Sequence, residues 1–389
     1  MHIQKFEIAL DLGGWETTIF IKGIGLVLRE LSSVAVFREP TIEDHFKKAS
    51  TQNLSDKANE SVAEVGTKGE LATIVQANEA EEKKATQRAI KRAKGDRQEG
   101  DVVAIGNDVR KIFGKTGETV SIKYPIVAGQ VVDVELGGKM LNHFLSKLAT
   151  IRVDDAVIKA TVIIPLYISI DEREKLKEVC YLAGISEVEF MPSAVCVPAG
   201  FGKDRGKGTS YLVVDMGASK TDIAIVDGDS IVSGVTLLLG GKDCDANIVD
   251  YVQKVYNLKI SRFSARKLKH SIGSLMSKDT ASQEVSGVDV NTNSPRIEVV
   301  EAVDIKNAMY NVYNSIAGEV VNLINKTSEE TLKDVMQTGI LLSGGASAVL
   351  GFKNLLTNRA KLPVEEYSYP KNVCIMGAGA YLNTEEKKD

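Results

Sequence analysis

The 389-residue chain has no apolar run long enough to span a bilayer, and its first residues, Met-His-Ile-Gln-Lys-Phe-Glu, lack the apolar centre of a secretory leader. Membrane-spanning and exported classes are therefore set aside, and a cytoplasmic protein is expected. Cysteine is scarce: Cys180, Cys196, Cys244 and Cys374 are scattered without a C-x-x-C pair, which argues against a disulfide framework and for reduced thiols. Four dispersed histidines leave no zinc-ligand spacing. Positive charge is not in excess, since 48 Lys and Arg face 52 Asp and Glu for a net charge of -4, so nucleic acid is not an expected partner. There is one tryptophan, Trp15. What remains, 43% hydrophobic and 26% charged residues, fits a soluble globular protein of two or three domains.

Two stretches carry the strongest signal. Asp11-Leu-Gly-Gly-Trp-Glu-Thr-Thr-Ile-Phe-Ile21 and Asp215-Met-Gly-Ala-Ser-Lys-Thr-Asp-Ile-Ala-Ile225 share the pattern D-[L/M]-G-x-x-x-T-x-I-x-I. Each follows an apolar run and reads as strand, glycine turn, second strand. Gly13, Gly14 and Gly217 free the backbone to approach an anion, and successive N–H groups in such a turn form an anion-binding concavity. Asp11 and Asp215 end strands, where two carboxylates hold Mg²⁺ through its water shell. Either hairpin alone reads as an ordinary D-x-G turn. The matched pair points to a polyphosphate gripped from both sides.

Along the chain, Gly25–Leu28 and Ser33–Phe37 are strand-like, and residues 40–100 form a polar, charged insertion. Its segment 79–94 is acidic first and basic later, as a solvated helix would be. Ordered structure resumes at Asp101–Gly106, with a short helix over Asn107–Gly114. Helices are expected at Leu136–Leu148, Asp171–Gly184, Asp243–Tyr256, Phe263–Met276 and Asp304–Lys326, and strands at Ala156–Pro165 and Glu187–Met191. Residues 278–295 read as a loop or hairpin. Gly200–Gly208 is a basic, glycine-rich linker whose glycine spacing excludes a Walker A loop. Gly339–Ala346 reads as a strand running into a glycine turn.

Together these segments resemble the actin/Hsp70 nucleotidase superfamily and, within it, the bacterial actins of the MreB type. Five motifs occur in the family's order: Asp11–Gly13, Val162–Glu174, Asp215–Thr221, Ile340–Ala346 and Val373–Ala380. The MreB character comes from the segments Val103–Thr116 and Ile122–Asp133. The resemblance implies an α/β, two-lobed, actin-like fold of duplicated mixed-sheet, RNase H-like domains with a nucleotide cleft between them. It implies a first lobe over 1–158, with a small subdomain near 32–122, a second lobe over 159–350, with a small subdomain near 242–305, and a return to the first lobe over 351–389. It further implies ATP and Mg²⁺ as cofactors, self-assembly into filaments, and other actin-like or shape proteins as partners.

Site expectations follow residue by residue. Asp11 and Asp215 would hold Mg²⁺ through water and serve catalysis. Glu172 matches the carboxylate that positions the attacking water; Ser169-Ile-Asp-Glu172 is also a capping box, and the two roles are compatible. Gly13, Gly14, Thr17, Gly217, Ala218, Ser219, Lys220 and Thr221 would line the phosphates. Gly241 and Asp245 match the helix start near ribose and phosphates, Lys269 the adenosine-side lysine, and Gly344, Gly345 and Ala346 the adenosine turn. Lys269 alone also reads as part of a solvated basic helix face.

Departures from the family pattern also matter. Gly14 removes a hydroxyl, Trp15 and Glu16 add bulk and negative charge, and Lys220 either meets phosphate or points outward. Arg266 and Lys267 stand where the family has glutamates. Nucleotide binding is thus better supported than fast hydrolysis. Attachment to the inner face of the membrane has weak support, since the loop Thr150–Asp155 is charged and the N-terminus is short. A scaffold with weak or no hydrolysis and a small-metabolite kinase are the alternatives. A chaperone is disfavoured, because the sequence stops soon after the last motif.

Overall fold

The computed structural model describes residues 4–38, 98–112, 119–148, 156–203, 206–276 and 278–384. The charged insertion up to residue 97, its expected helix at 79–94 and the loop at 150–155 lie outside them. The chain divides into two compact units, one formed by residues 1–32 with 125–389 and the other by residues 33–124.

In the first unit, β1 (Gln4–Leu12), β2 (Glu16–Ile21) and β3 (Gly25–Leu31) form an antiparallel meander. The 33–124 unit holds β4 (Val34–Phe37), buried along its whole length and flanked by β5 (Val102–Ile105) and β6 (Val120–Lys123). The first unit resumes with the small hairpin of β7 (Ile126–Val127) and β8 (Gln130–Val131). Helix α1 (Val134–Ser146) starts two residues before its expected position. Asp133 caps it by accepting from Leu136 N at 2.9 Å, and Leu136, Met140, Leu141, Phe144 and Leu145 form its buried stripe. Each such side chain taken fully out of water contributes about 1.5–3 kcal/mol. Then come β9 (Ala156–Ile164), α2 (Ile170–Leu182), β10 (Glu187–Pro192) and α3 (Ser193–Gly200).

The remainder repeats the plan. A second meander of β11 (Ser210–Met216), β12 (Thr221–Asp227) and β13 (Ser230–Leu237) leads into α4 (Gly241–Tyr256), β14 (Leu258–Lys259) and α5 (Arg262–Ile272). Residues 278–295, read as loop or hairpin, belong to the hairpin of β15 (Ser282–Asp289) and β16 (Pro295–Glu301). Helices α6 (Ala302–Asn325) and α7 (Glu329–Thr338), β17 (Ile340–Ser343), α8 (Phe352–Ala360), β18 (Val364–Glu366) and α9 (Val373–Thr384) complete the described chain.

The two five-stranded sheets have the orders β3-β2-β1-β9-β10 and β13-β12-β11-β17-β18. In both, the first strand pairs antiparallel with its meander partner and parallel with the later strand, and the register shifts once between the second and third strands. The duplication visible in the two motifs is therefore a duplication of whole sheets. In the second sheet, alternation sends Leu212, Val214, Met216, Ile223 and Ile225 into one core, while Tyr211, Val213, Ala224 and Val226 enter another.

That second core is shared. It joins Ala9 and Phe20 of the first sheet to α3 and α9, which pack against each other between the sheets. The contact is close: a Cβ on Gly377 of α9 would lie 1.9 Å from the Cys196 carbonyl oxygen of α3. Helix α3 was not read from the sequence, because Ser-Ala-Val-Cys-Val-Pro-Ala-Gly is apolar all round and has no helical period.

Candidate functional site

The two glycine turns face each other. A Cβ on Gly14 would come within 3.0 Å of Ser219 Oγ and 3.4 Å of Ala128 N. The Ser219 hydroxyl is enclosed at this point and has no hydrogen-bond partner among the described residues. An enclosed hydroxyl without a partner is costly unless a ligand satisfies it.

Beneath the turns lie Asp11 and Asp215, both half-buried. Burial is the larger cause and the Asp215 charge the second in raising the Asp11 carboxyl from 3.8 to about 6. Burial likewise raises Asp215, opposed by Lys220 and by a hydrogen bond that Ser343 Oγ donates at 2.9 Å. Two buried carboxyls held above their usual range, one of them partly by the charge of the other, fit a cation beside them, and Mg²⁺ keeping most of its waters needs only one or two. Among the described residues no group of three or more Asp, Glu, His or Cys gathers as a direct metal cage. Cys196 of α3 and Cys374 of α9 line the same floor; burial first, with the nearby aspartates adding to it, raises both thiols.

The second turn is anchored to the start of α4. Gly241 N and Lys242 N donate to the carbonyls of Gly217 at 3.1 Å and Ala218 at 2.7 Å. Gly240 has to be glycine here, since a Cβ would lie 2.7 Å from the Gly217 oxygen. Lys220 neither points outward nor reaches across: it pairs with fully buried Asp222. Asp222 also accepts from Ser193 Oγ at 2.9 Å and Thr236 Oγ1 at 2.6 Å.

Several other candidates brace the chain. Thr17 and Thr221 are fully buried; Thr17 Oγ1 bonds Ser32 Oγ at 2.9 Å, and Thr221 Oγ1 donates to the Leu239 carbonyl at 2.7 Å. Ser32 Oγ donates to the Gly13 carbonyl at 2.6 Å and so holds the first turn from below. Lys269 pairs with Asp245 at 2.6 Å and donates to the Gly241 carbonyl at 2.5 Å, so a solvated face is not its setting. Gly344, at φ 88°, stands where a Cβ would lie 2.3 Å from the Met216 oxygen, which packs the 344–346 turn onto the end of β11. Gly345 opens the short helix that follows, and Ala346 Cβ is 3.3 Å from a Cβ built on Gly241. The adenosine turn therefore abuts the start of α4 and the second glycine turn.

Glu172 lies in the first turn of α2, where Ser169 Oγ caps its N–H at 3.1 Å. Its carboxylate accepts from Val131 N at 2.9 Å and from Lys175 Nζ at 3.0 Å, tying α2 to the β7–β8 hairpin whose Ala128 faces Gly14. Two residues escaped the sequence reading. Lys242 sits unremarked inside Gly-Lys-Asp-Cys-Asp, and Asp222 follows a motif that ends at Thr221. Only the unusual sequence Lys220-Thr-Asp222 hinted at the latter.

A model of the family described as MreB/Mbl protein matches residues 87–389. The chain belongs to the MreB/Mbl family. Within that family, it is 27% identical over 297 residues to the cell shape-determining protein Mbl of Bacillus subtilis (strain 168), spanning 75% of this chain and 88% of that protein. It is 23% identical over 377 residues to the cell shape-determining protein MreB of Escherichia coli (strain K12), spanning 97% and 93%. Among solved structures, MreB 5 of Spiroplasma citri bound to AMPPNP aligns with a TM-score of 0.78 at 22% identity, over 98% of this chain and 97% of that one. A MamK double helical filament aligns with a TM-score of 0.70 at 17% identity, over 99% and 100%. At these identities the likeness establishes the actin-like, two-lobed fold.

Proposed function

We propose that this MreB/Mbl-family chain is a cytoskeletal protein that binds ATP with Mg²⁺ between the twin glycine turns and polymerises into filaments serving cell shape or internal organisation. One observation carries the reading: the Ser219 hydroxyl, enclosed against Gly14 with no partner among the described residues, with Asp11 and Asp215 both raised by burial, and Asp11 also by the Asp215 charge, below it. A polyphosphate there would satisfy the hydroxyl, and Mg²⁺ would supply the charge that lets both aspartates ionise. The relatives lend support, since one is described as bound to AMPPNP and another as a double helical filament. Cytoplasmic placement and contacts with other shape proteins belong to this reading and rest on the family alone.

A second reading has a specific observation behind it. Both carboxylate oxygens of Glu172 are engaged, one by Val131 N and one by Lys175, so the carboxylate is held by the protein and a water would have to share it with these donors. That favours slow hydrolysis, with nucleotide acting mainly as a structural ligand.

Equilibrium dialysis of labelled ATP and ADP, sedimentation with ATP, ADP and no nucleotide, and phosphate release test both. ATP binding with nucleotide-dependent sediment is expected. Absence of sediment in every condition would remove the filament claim. Phosphate release that falls 10-fold or more in Glu172→Gln, the order typical of losing a water-orienting group, supports hydrolysis at this site. Release that is undetectable in both proteins supports the structural-ligand reading.

A further inference from the structure

Trp15 in the first turn and Arg266 on α5, two departures from the family pattern, meet each other. The Arg266 guanidinium lies 3.7 Å from the centroid of the Trp15 ring. One residue earlier, the Gly14 carbonyl accepts from Lys242 Nζ at 2.8 Å. Two cations from second-lobe helices thus hold consecutive residues of the first-lobe turn. Both side chains are half-buried. Asp245, 3.7 Å from Arg266, is engaged more closely by Lys269 at 2.6 Å. Burial, then the charges of Arg266 and Arg262, lowers the pKa of the Lys242 amine, so like charges are crowded beside the turn.

We propose that Lys242 and Arg266 receive the polyphosphate of the bound nucleotide, and that the Trp15 ring is the resting seat Arg266 leaves when nucleotide enters. This rests on the nucleotide reading above. Of the contacts described, the carbonyl and the indole ring are neutral and Asp245 is shared with the closer Lys269, whereas a phosphate brings full negative charge to the same turn. A half-exposed cation–π contact is worth ~2–5-fold in an equilibrium. A charge-assisted bond from guanidinium to phosphate is worth ~10–100-fold. The exchange therefore runs toward the nucleotide, and the first turn is released from its contact with α5 as it occurs. Arginine at this position also favours a phosphate group over the ribose hydroxyls, since its planar donors match phosphate oxygens in pairs.

The single tryptophan makes the exchange readable. The full chain is titrated with ADP and with a non-hydrolysable ATP analogue in Mg²⁺ while Trp15 emission is recorded; equilibrium dialysis of labelled nucleotide measures binding independently. Emission is expected to change along the dialysis isotherm. Arg266→Ala is expected to weaken binding about 10-fold or more and to remove the nucleotide-dependent part of the emission change, with Arg266→Lys restoring part of the affinity. Trp15→Leu is expected to tighten binding ~2–5-fold, because no resting contact has to break. A merely structural pair would weaken binding in both variants. Thermal melts of each variant identify any loss that comes from unfolding. Unchanged affinity in Arg266→Ala and Lys242→Ala, or weaker binding in folded Trp15→Leu, overturns the proposal and leaves nucleotide binding standing. Absence of binding by the unaltered protein in dialysis overturns both.

Discussion

Opposite Asp215 the second sheet carries Asp222, and at the equivalent place opposite Asp11 the first sheet carries Thr18. The preceding turn positions differ as well. Lys220 turns inward to pair with Asp222, whereas its counterpart Glu16 pairs with Arg29 of β3 at 3.1 Å. The second turn is thus fixed within its own lobe, by the buried Lys220–Asp222 pair and by the N–H groups opening α4. The first turn is held from below by Ser32 and from across the cleft by Lys242 and Arg266. One motif used twice has one copy braced wholly within its own lobe and one braced both by its own Ser32 and from the opposite lobe. On the proposal above, a ligand entering between them disturbs the cross-lobe contacts and leaves the second turn's bracing intact.

The largest expected effect tests the internal bracing. Asp222→Ala leaves the mostly buried Lys220 ammonium without its closest counter-charge, and leaves Ser193 and Thr236 without their acceptor. Breaking such a pair from one side costs about 3 kcal/mol or more. Urea unfolding of the nucleotide-free protein measures it. A loss below about 1 kcal/mol, the scale of an exposed pair, would mean that the second turn is no better braced than the first.

Next in size is the pH response of the cleft floor. The folded Asp11 carboxyl titrates near 6 and its unfolded form near 3.8, so the folded state holds more protons between those values. Stability from this group is therefore fully present below about 4 and is lost as pH rises through about 6. At 1.36 kcal/mol per tenfold the shift corresponds to at most ~3 kcal/mol, and solvent contact brings it to about 2. Asp11→Asn should gain that amount at pH 7 and nothing at pH 4, read from denaturation at the two values. The same proton must leave before Mg²⁺ can be held, so affinity for Mg²⁺–ATP in the unaltered protein should rise with pH through about 6. Equal stability of Asp11→Asn and the unaltered chain at pH 7 would show that the two carboxylates do not confront each other.

Much of this arrangement was legible because it depends on local pattern. The repeated D-x-G with period-two apolar flanks located both hairpins, amphipathic spacing located α1, and the S-x-x-E box with the closing glycine located α2. Helix α5 ended at Ile272 rather than running on to Met276, because Gly273 leaves the helical conformation at ψ 115°. The rest depends on contacts distant in sequence. Nothing near Lys220 states that Ser193 and Thr236 complete the buried network around Asp222. Nothing near Trp15 states that Arg266, on a helix of the other lobe, supplies the cation over its ring. Residue type also misled where burial decided the role: Thr17 and Thr221 look like phosphate hydroxyls, yet both bond to their own lobes.

The smallest effect is expected at the counterpart of Asp222. Thr18 is buried, and its hydroxyl has no hydrogen-bond partner among the described residues. Removing a buried polar atom that bonds nothing relieves its desolvation, while a β-branched replacement keeps the shape and the strand preference. Thr18→Val should therefore change stability by less than ~1 kcal/mol, toward stabilisation, against the large loss at Asp222. If denaturation instead shows Thr18→Val costing as much as Asp222→Ala, the first lobe has a polar brace of its own beneath Asp11. The first turn would then have a second anchor within its lobe besides Ser32, and its reliance on Lys242 and Arg266 would shrink with the asymmetry.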